Sequence, residues 1–162
     1  MPASQAFVVR PLSPALGAEV LDIDLRQLDA PGAKKLLDVW HDNVVLLARN
    51  QTLSEPEQIV FGELFAGGGL SGGHNRQLES KNSGVAYVTN IGKVGDTPGI
   101  LPDGEMHFHS DQCYREFPAR GTMLYAMEVP SKGGQTLFAN CYTAFETLHA
   151  FFDYRPVSLA LG

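Results

Sequence analysis

From Leu21 to Arg26 apolar and polar residues alternate strictly, with Leu21, Ile23 and Leu25 set against Asp22, Asp24 and Arg26. A period of two sends each set to its own face of a pleated strand, so residues 19–26 predict a half-buried strand. Phe7 to Leu12 predicts a short edge strand ahead of it, stopped by Pro11, which has no N–H for a ladder. The period then lengthens. Pro31 suits the first turn of a helix, and Leu36, Leu37, Trp40 and Val44 follow at helical spacing, with His41 beside the stripe as a surface residue. Val44 to Ala48 is an unbroken apolar run of strand length, which predicts a strand buried on both faces. Ser54 and Glu57 form a capping box that opens a second helix, with Ile59, Val60, Leu64 and Phe65 facing inward.

Glycine ends that helix: residues 67–73 read Gly-Gly-Gly-Leu-Ser-Gly-Gly. Gly67, Gly69 and Gly72 match GxGxxG in form, but a dinucleotide fingerprint needs a strand before it and a helix after it. Here a helix precedes and a polar stretch follows, so a loop is the better reading. Val85 to Ile91 predicts a strand, residues 92–104 a loop, and Thr122 to Val129 and Gln135 to Asn140 two strands paired across the turn at Pro130 to Gly134. Thr143 with Glu146 predicts the start of a last helix carrying Phe145, Leu148 and Phe152.

The chemistry gathers between Met106 and Gln112, which read Met-His-Phe-His-Ser-Asp-Gln. If this stretch is extended, His107, His109 and Asp111 leave one face of a strand. Two imidazoles and a carboxylate are credible metal donors, and a His and an Asp two residues apart supply two members of a 2-His-1-carboxylate iron site. His-x-His-x-Asp also opens the zinc motif of the metallo-β-lactamase fold, although that motif continues with histidine where this chain has Gln112. A zinc hydrolase therefore stands as an alternative.

Composition narrows the setting. A chain of 162 residues supports one domain, 1–162, and a formal charge of −6 without any basic run argues against nucleic-acid partners. No apolar run is long enough for a membrane span, and the N-terminus shows no signal-peptide pattern. Cys113 and Cys141 form no CxxC pair and read as free thiols of a cytoplasmic protein.

Several blocks, in order, resemble the TauD/TfdA family of Fe(II)- and 2-oxoglutarate-dependent dioxygenases. They are Gly17 to Val20 with Asp24-Leu25, Val44 to Ala48, Phe61-Gly62-Glu63-Leu64, Phe108-His109-Ser110-Asp111, Pro118-Ala119, and Pro130 to Phe138 with its Gly-Gly-Gln-Thr-Leu core. The resemblance covers about residues 7–148 and leaves 149–162 as a divergent tail. It implies an α+β chain with a double-stranded β-helix (jelly-roll) core and flanking helices. It further implies hydroxylation of a small organic acid with Fe(II), 2-oxoglutarate and O2. Residue by residue, His109 and Asp111 match two iron ligands, and Thr136 matches the threonine that hydrogen-bonds a 2-oxoglutarate carboxylate. His107 matches no ligand. Asn90, near the end of a predicted strand, is a candidate substrate contact.

The chain departs from the family pattern downstream. The family's second iron-binding histidine and its 2-oxoglutarate-binding arginine have no matching positions here. His149 and His74 could substitute for the metal, and Arg115, Arg120 or Arg155 for the carboxylate, but none sits where the family places one. A jelly roll interleaves strands from both halves of the chain, so a truncated one leaves open edges and an uncovered apolar face. The expectation is a homo-oligomer or a completing partner chain. A non-catalytic interaction module is the other reading beside the enzyme.

Overall fold

The computed structural model describes residues 6–66, 85–89, 93–94, 97–98, 107–114, 116 and 120–148. The edge strand forms as β1, Val8–Pro11, antiparallel to β2, Ala18–Leu21, with Arg10 opposite Glu19. Strand β2 is shorter than the alternation predicts. Asp22 takes a left-handed backbone (φ 59°), which breaks the pleat, and Asp24 then caps a 3-10 turn at Leu25–Gln27. The apolar residues beyond the break still turn inward, and Ile23 and Leu28 are buried.

Helix α1 runs Ala30–Asn43. Asp29 accepts from Gly32 N–H at 2.8 Å and so satisfies one of the unpaired amides of the first turn, with proline inside the start. Ala33 and Leu36 are buried from this helix, while His41 is exposed as expected, its ring 5.5 Å from that of Trp40. At its C-terminal end Val44 has φ 67°, an awkward value for a β-branched residue. That consumes the start of the apolar run, so β3 is only Leu46–Leu47, parallel to β2 through Ala18↔Leu46. Both residues are half-buried rather than buried on two faces, as befits the edge of a three-stranded sheet ordered β1-β2-β3.

Helix α2 is Glu55–Ala66, opened by the expected Ser54–Glu57 pairing: Ser54 N–H and hydroxyl both donate to Glu57 Oε2, at 2.7 and 2.6 Å. Phe61 is buried, Ile59 and Leu64 are half-buried as expected with Leu64 against the core, and Val60, predicted inward, is instead 62% exposed. Phe7, Val20, Ile23, Leu28, Ala33, Leu36 and Phe61 make one apolar cluster, with Leu25, Val39, Leu46, Ala48 and Leu64 against it. Each large side chain buried in this way contributes roughly 1.5–3 kcal/mol. Glu19 is buried too, its carboxylate shared by Arg10 and by Arg49 Nε at 2.9 Å. Arg10 first, and Arg49 with it, hold the Glu19 carboxyl below the usual carboxylate range.

Beyond α2 regular structure thins. Residues 85–89 hold an isolated bridge at Ala86 instead of the predicted strand, and Lys93–Val94 (β4) pairs with Thr97–Pro98 (β5) inside the predicted loop. Residues 121–140 carry no strand, so the two strands predicted there are absent. Helix α3, Cys141–Glu146, begins two residues before the predicted cap: Asn140, not Thr143, accepts from Tyr142 and Thr143 N–H at 3.0 and 3.1 Å. Residues 67–84 and 149–162 lie outside the described residues, and the glycine run and divergent tail with them.

Candidate metal centre

The candidate donors do not lie on a strand. Residues 107–110 have no regular structure, and Asp111 to Tyr114 is a turn in which Gln112 has φ 55°. A left-handed residue directly after Asp111 ends any extended run there. Two of the three side chains nevertheless meet, because His109 Nε2 lies 3.3 Å from Asp111 Oδ1.

The other atoms of the pair are held. His109 Nδ1 donates to the carbonyl oxygen of His107 at 2.8 Å. A carbonyl only accepts, so the bond puts the ring hydrogen on Nδ1, and in the neutral ring Nε2 presents its lone pair to Asp111. A metal-ligating histidine is ordinarily fixed through its second nitrogen in this way. On the other side, the Thr122 hydroxyl donates to Asp111 Oδ2 at 2.9 Å. Oδ1 therefore faces the imidazole while Oδ2 is occupied.

An Nε2 and a carboxylate oxygen at 3.3 Å attract when a cation lies between them, whether a proton on Nε2 or a metal ion. The separation is one that two donors, each about 2.1 Å from one ion, would have. An imidazole and a carboxylate are a donor pair for Fe(II) or a similar first-row ion, so the residues present fit two ligand positions. Among the described residues no group of three or more His, Cys, Asp and Glu is placed to hold a metal, so the His107 imidazole, though exposed nearby in sequence, does not complete a triad.

The remaining candidates are scattered. Thr136 lies in an exposed irregular stretch, beyond a turn in which Gly133 and Gly134 take φ 80° and 71°. A side chain at Gly134 would put its Cβ 2.8 Å from Pro130 Cγ, so this tight turn needs glycine twice over. Arg120 is exposed, while Asn90, His74, Arg115, His149 and Arg155 lie outside the described residues. Cys113 and Cys141 are free and exposed. Among the described residues no helix is long and apolar enough to cross a membrane.

Thr122 is the site residue that sequence reasoning missed. It stands eleven positions from Asp111 at the start of a predicted strand, and no periodicity or motif joins the two. Its position is set by its neighbours. A Cβ on Gly121 would come within 2.7 Å of the Trp40 ring, so the backbone lies directly on the indole. Three residues on, Tyr125 Oη accepts from Leu53 N–H at 3.2 Å and donates to Gln51 O at 3.3 Å. Gln51 itself is a hub: its side chain accepts from Leu25 N–H and donates to the carbonyls of Ile23 and Arg49.

Comparison with known proteins places this arrangement. Residues 9–152 match the family described as "Taurine catabolism dioxygenase TauD, TfdA family". The chain belongs to the TauD/TfdA family. Among its relatives is an alpha-ketoglutarate-dependent 2,4-dichlorophenoxyacetate dioxygenase of Cupriavidus pinatubonensis, 33% identical over an alignment of 154 positions that covers 88% of this chain and 53% of that protein. An (S)-phenoxypropionate/alpha-ketoglutarate-dioxygenase of Sphingobium herbicidovorans is 30% identical over an alignment of 161 positions that covers 96% of this chain and 53% of that protein. A pentalenolactone F synthase of Streptomyces arenae is 32% identical over an alignment of 110 positions that covers 65% of this chain and 35% of that protein. The chain spans about half the length of the curated relatives it matches. The matched span includes His109 and Asp111.

Proposed function

We propose that this chain is the part of a TauD/TfdA dioxygenase that carries two of the iron ligands, His109 and Asp111, and one 2-oxoglutarate contact, Thr136. The observation that carries the reading is the 3.3 Å approach of His109 Nε2 to Asp111 Oδ1, with the other ring nitrogen tied to a carbonyl. When bound, Fe(II) supplies the redox chemistry by which O2 is reduced while 2-oxoglutarate loses CO2 to become succinate. The chain's own residues prepare the site. The His107 carbonyl fixes the imidazole tautomer and Asp111 supplies negative charge. The Thr136 hydroxyl donates to a cosubstrate carboxylate. Asn90 contacts the primary substrate, a small organic acid. The exposed apolar side chains of residues 123–148, among them Leu124, Leu137 and Phe145, form a face that a second copy or a completing chain covers.

Anaerobic Fe(II) titration tests this reading. His109→Ala and Asp111→Ala are each expected to weaken binding by more than the roughly 10–100-fold typical of losing a group that merely supports a ligand. Wild-type affinity in both variants would sink it. A second reading, a non-catalytic interaction module, is favoured by the absence of a third donor among the described residues. It predicts no succinate from 2-oxoglutarate with iron and ascorbate present, even where Fe(II) binds.

A further inference from the structure

We propose that Thr122 is a positioning residue for the metal-binding carboxylate: its hydroxyl holds Asp111 Oδ2 so that Oδ1 alone is offered beside His109 Nε2. The inference rests on the metal reading above and adds a residue to it.

A carboxylate on a short side chain turns easily about its last bond, where the torsion is broad and two-fold. Left alone, Asp111 could present either oxygen, or both, to an ion. The Thr122 hydroxyl at 2.9 Å removes that freedom, since one oxygen accepts its hydrogen while the other lies 3.3 Å from the imidazole. A single-oxygen contact uses one coordination position rather than two, which leaves more positions open for ligands from outside the chain.

Thr122 is exposed, and so is Asp111, so with nothing to hold the threonine the bond would join two loose surface segments. Its neighbours hold it. Gly121 lies flat against Trp40 of α1, and Tyr125 is tied in both directions to the Gln51–Leu53 backbone. Thr122 is bracketed by these two anchors on the packed part of the molecule. Asp111, followed by the left-handed Gln112, lies at an exposed turn outside any helix or strand. The threonine is therefore the fixed partner and the carboxylate the oriented one.

The experiment is titration of the 162-residue chain with Fe(II) under anaerobic conditions, and with Co(II) followed by its visible absorption. Thr122→Val keeps the shape and loses the donor, Thr122→Ser keeps the donor, and Asp111→Ala removes the ligand. Far-UV circular dichroism checks that each variant folds. Thr122→Val is expected to bind about 10–100-fold more weakly than wild type and to change the Co(II) spectrum. Thr122→Ser should stay within about 3-fold of wild type and keep its spectrum, against roughly the hundredfold upper end of losing an outer partner. Wild-type affinity in Thr122→Val together with loss in Asp111→Ala overturns this inference and leaves the metal site standing. Equal weakening in Thr122→Ser and Thr122→Val also overturns it, because the hydroxyl would not be the cause. Retention in Asp111→Ala overturns the site and the inference together.

Discussion

Residues 6–66 and residues 120–148 are held in opposite ways. The first region buries seven apolar side chains in a cluster formed by a small sheet and two helices. In the second, every residue except Tyr125 and Asn140 is exposed, including Leu124 at 63%, Leu137 at 71% and Phe145 at 68%. It is laid on the first by point contacts: Gly121 on Trp40, Tyr125 on Gln51 and Leu53, and Asn140 Nδ2 donating to the Ala15 carbonyl at 2.8 Å. Apolar burial is cumulative and non-directional, whereas a few hydrogen bonds fix position while contributing only about 0.5–1.5 kcal/mol each. One region therefore supplies the stability and the other is placed by it. Thr122 falls on the side that is placed, and Asp111, from residues 107–114, is joined to that side through it.

The largest expected effect separates the two regions directly. Leu36→Ala, in the cluster, should cost about 3 kcal/mol of unfolding free energy, within the usual 2–5 for a buried leucine. Leu137→Ala, at 71% exposure, should change it by no more than about 0.5 kcal/mol. Urea titration of both variants measures the difference. Comparable losses would mean that residues 120–148 are packed in solution, as a covering chain or second copy would make them.

A smaller effect is expected at the entrance to α2. Ser54→Ala removes one of the two donors to Glu57 and should cost about 1 kcal/mol in the same titration, while Fe(II) affinity stays at the wild-type level. A fall in affinity would mean that the two regions are more tightly coupled than these point contacts imply.

The smallest effect concerns acid. Arg26, through its side chain and then its backbone N–H, holds the Asp24 carboxyl at about 2 against its ordinary 3.8. A carboxylate whose folded value is depressed stabilises the fold above its unfolded value, and that contribution disappears as pH falls through the folded one. Asp24→Asn should therefore lower the urea midpoint slightly at pH 5 and progressively less as pH falls, with most of the change between 3.8 and 2. A constant difference between variant and wild type across that window would show that the Arg26 contact is not the source.

The sequence is legible where neighbours along the chain decide the outcome. Pro31 within the first turn of α1 and the Ser54–Glu57 pair at α2 are short-range features, and both appear where expected. The strand predictions fare worse because a pleat needs a partner at a distance. Alternation from Leu21 to Arg26 could not reveal that Asp22 turns left-handed, and the patterned residues 122–129 and 135–140 form no ladder. At the candidate site, spacing alone suggested that His109 and Asp111 share a face, and their side chains do meet, though at a turn. Thr122 was invisible for the opposite reason. Its partner is eleven residues away, and the anchor that positions it, Trp40, is on another element.

The indole beneath Gly121 has a practical consequence. Trp40 is the chain's one tryptophan, so its fluorescence arises at the seam between the stable layer and the segment lying on it. Separation of the two would expose that ring to water and shift its emission to the red, giving the protein a built-in optical gauge of whether Thr122 is still seated.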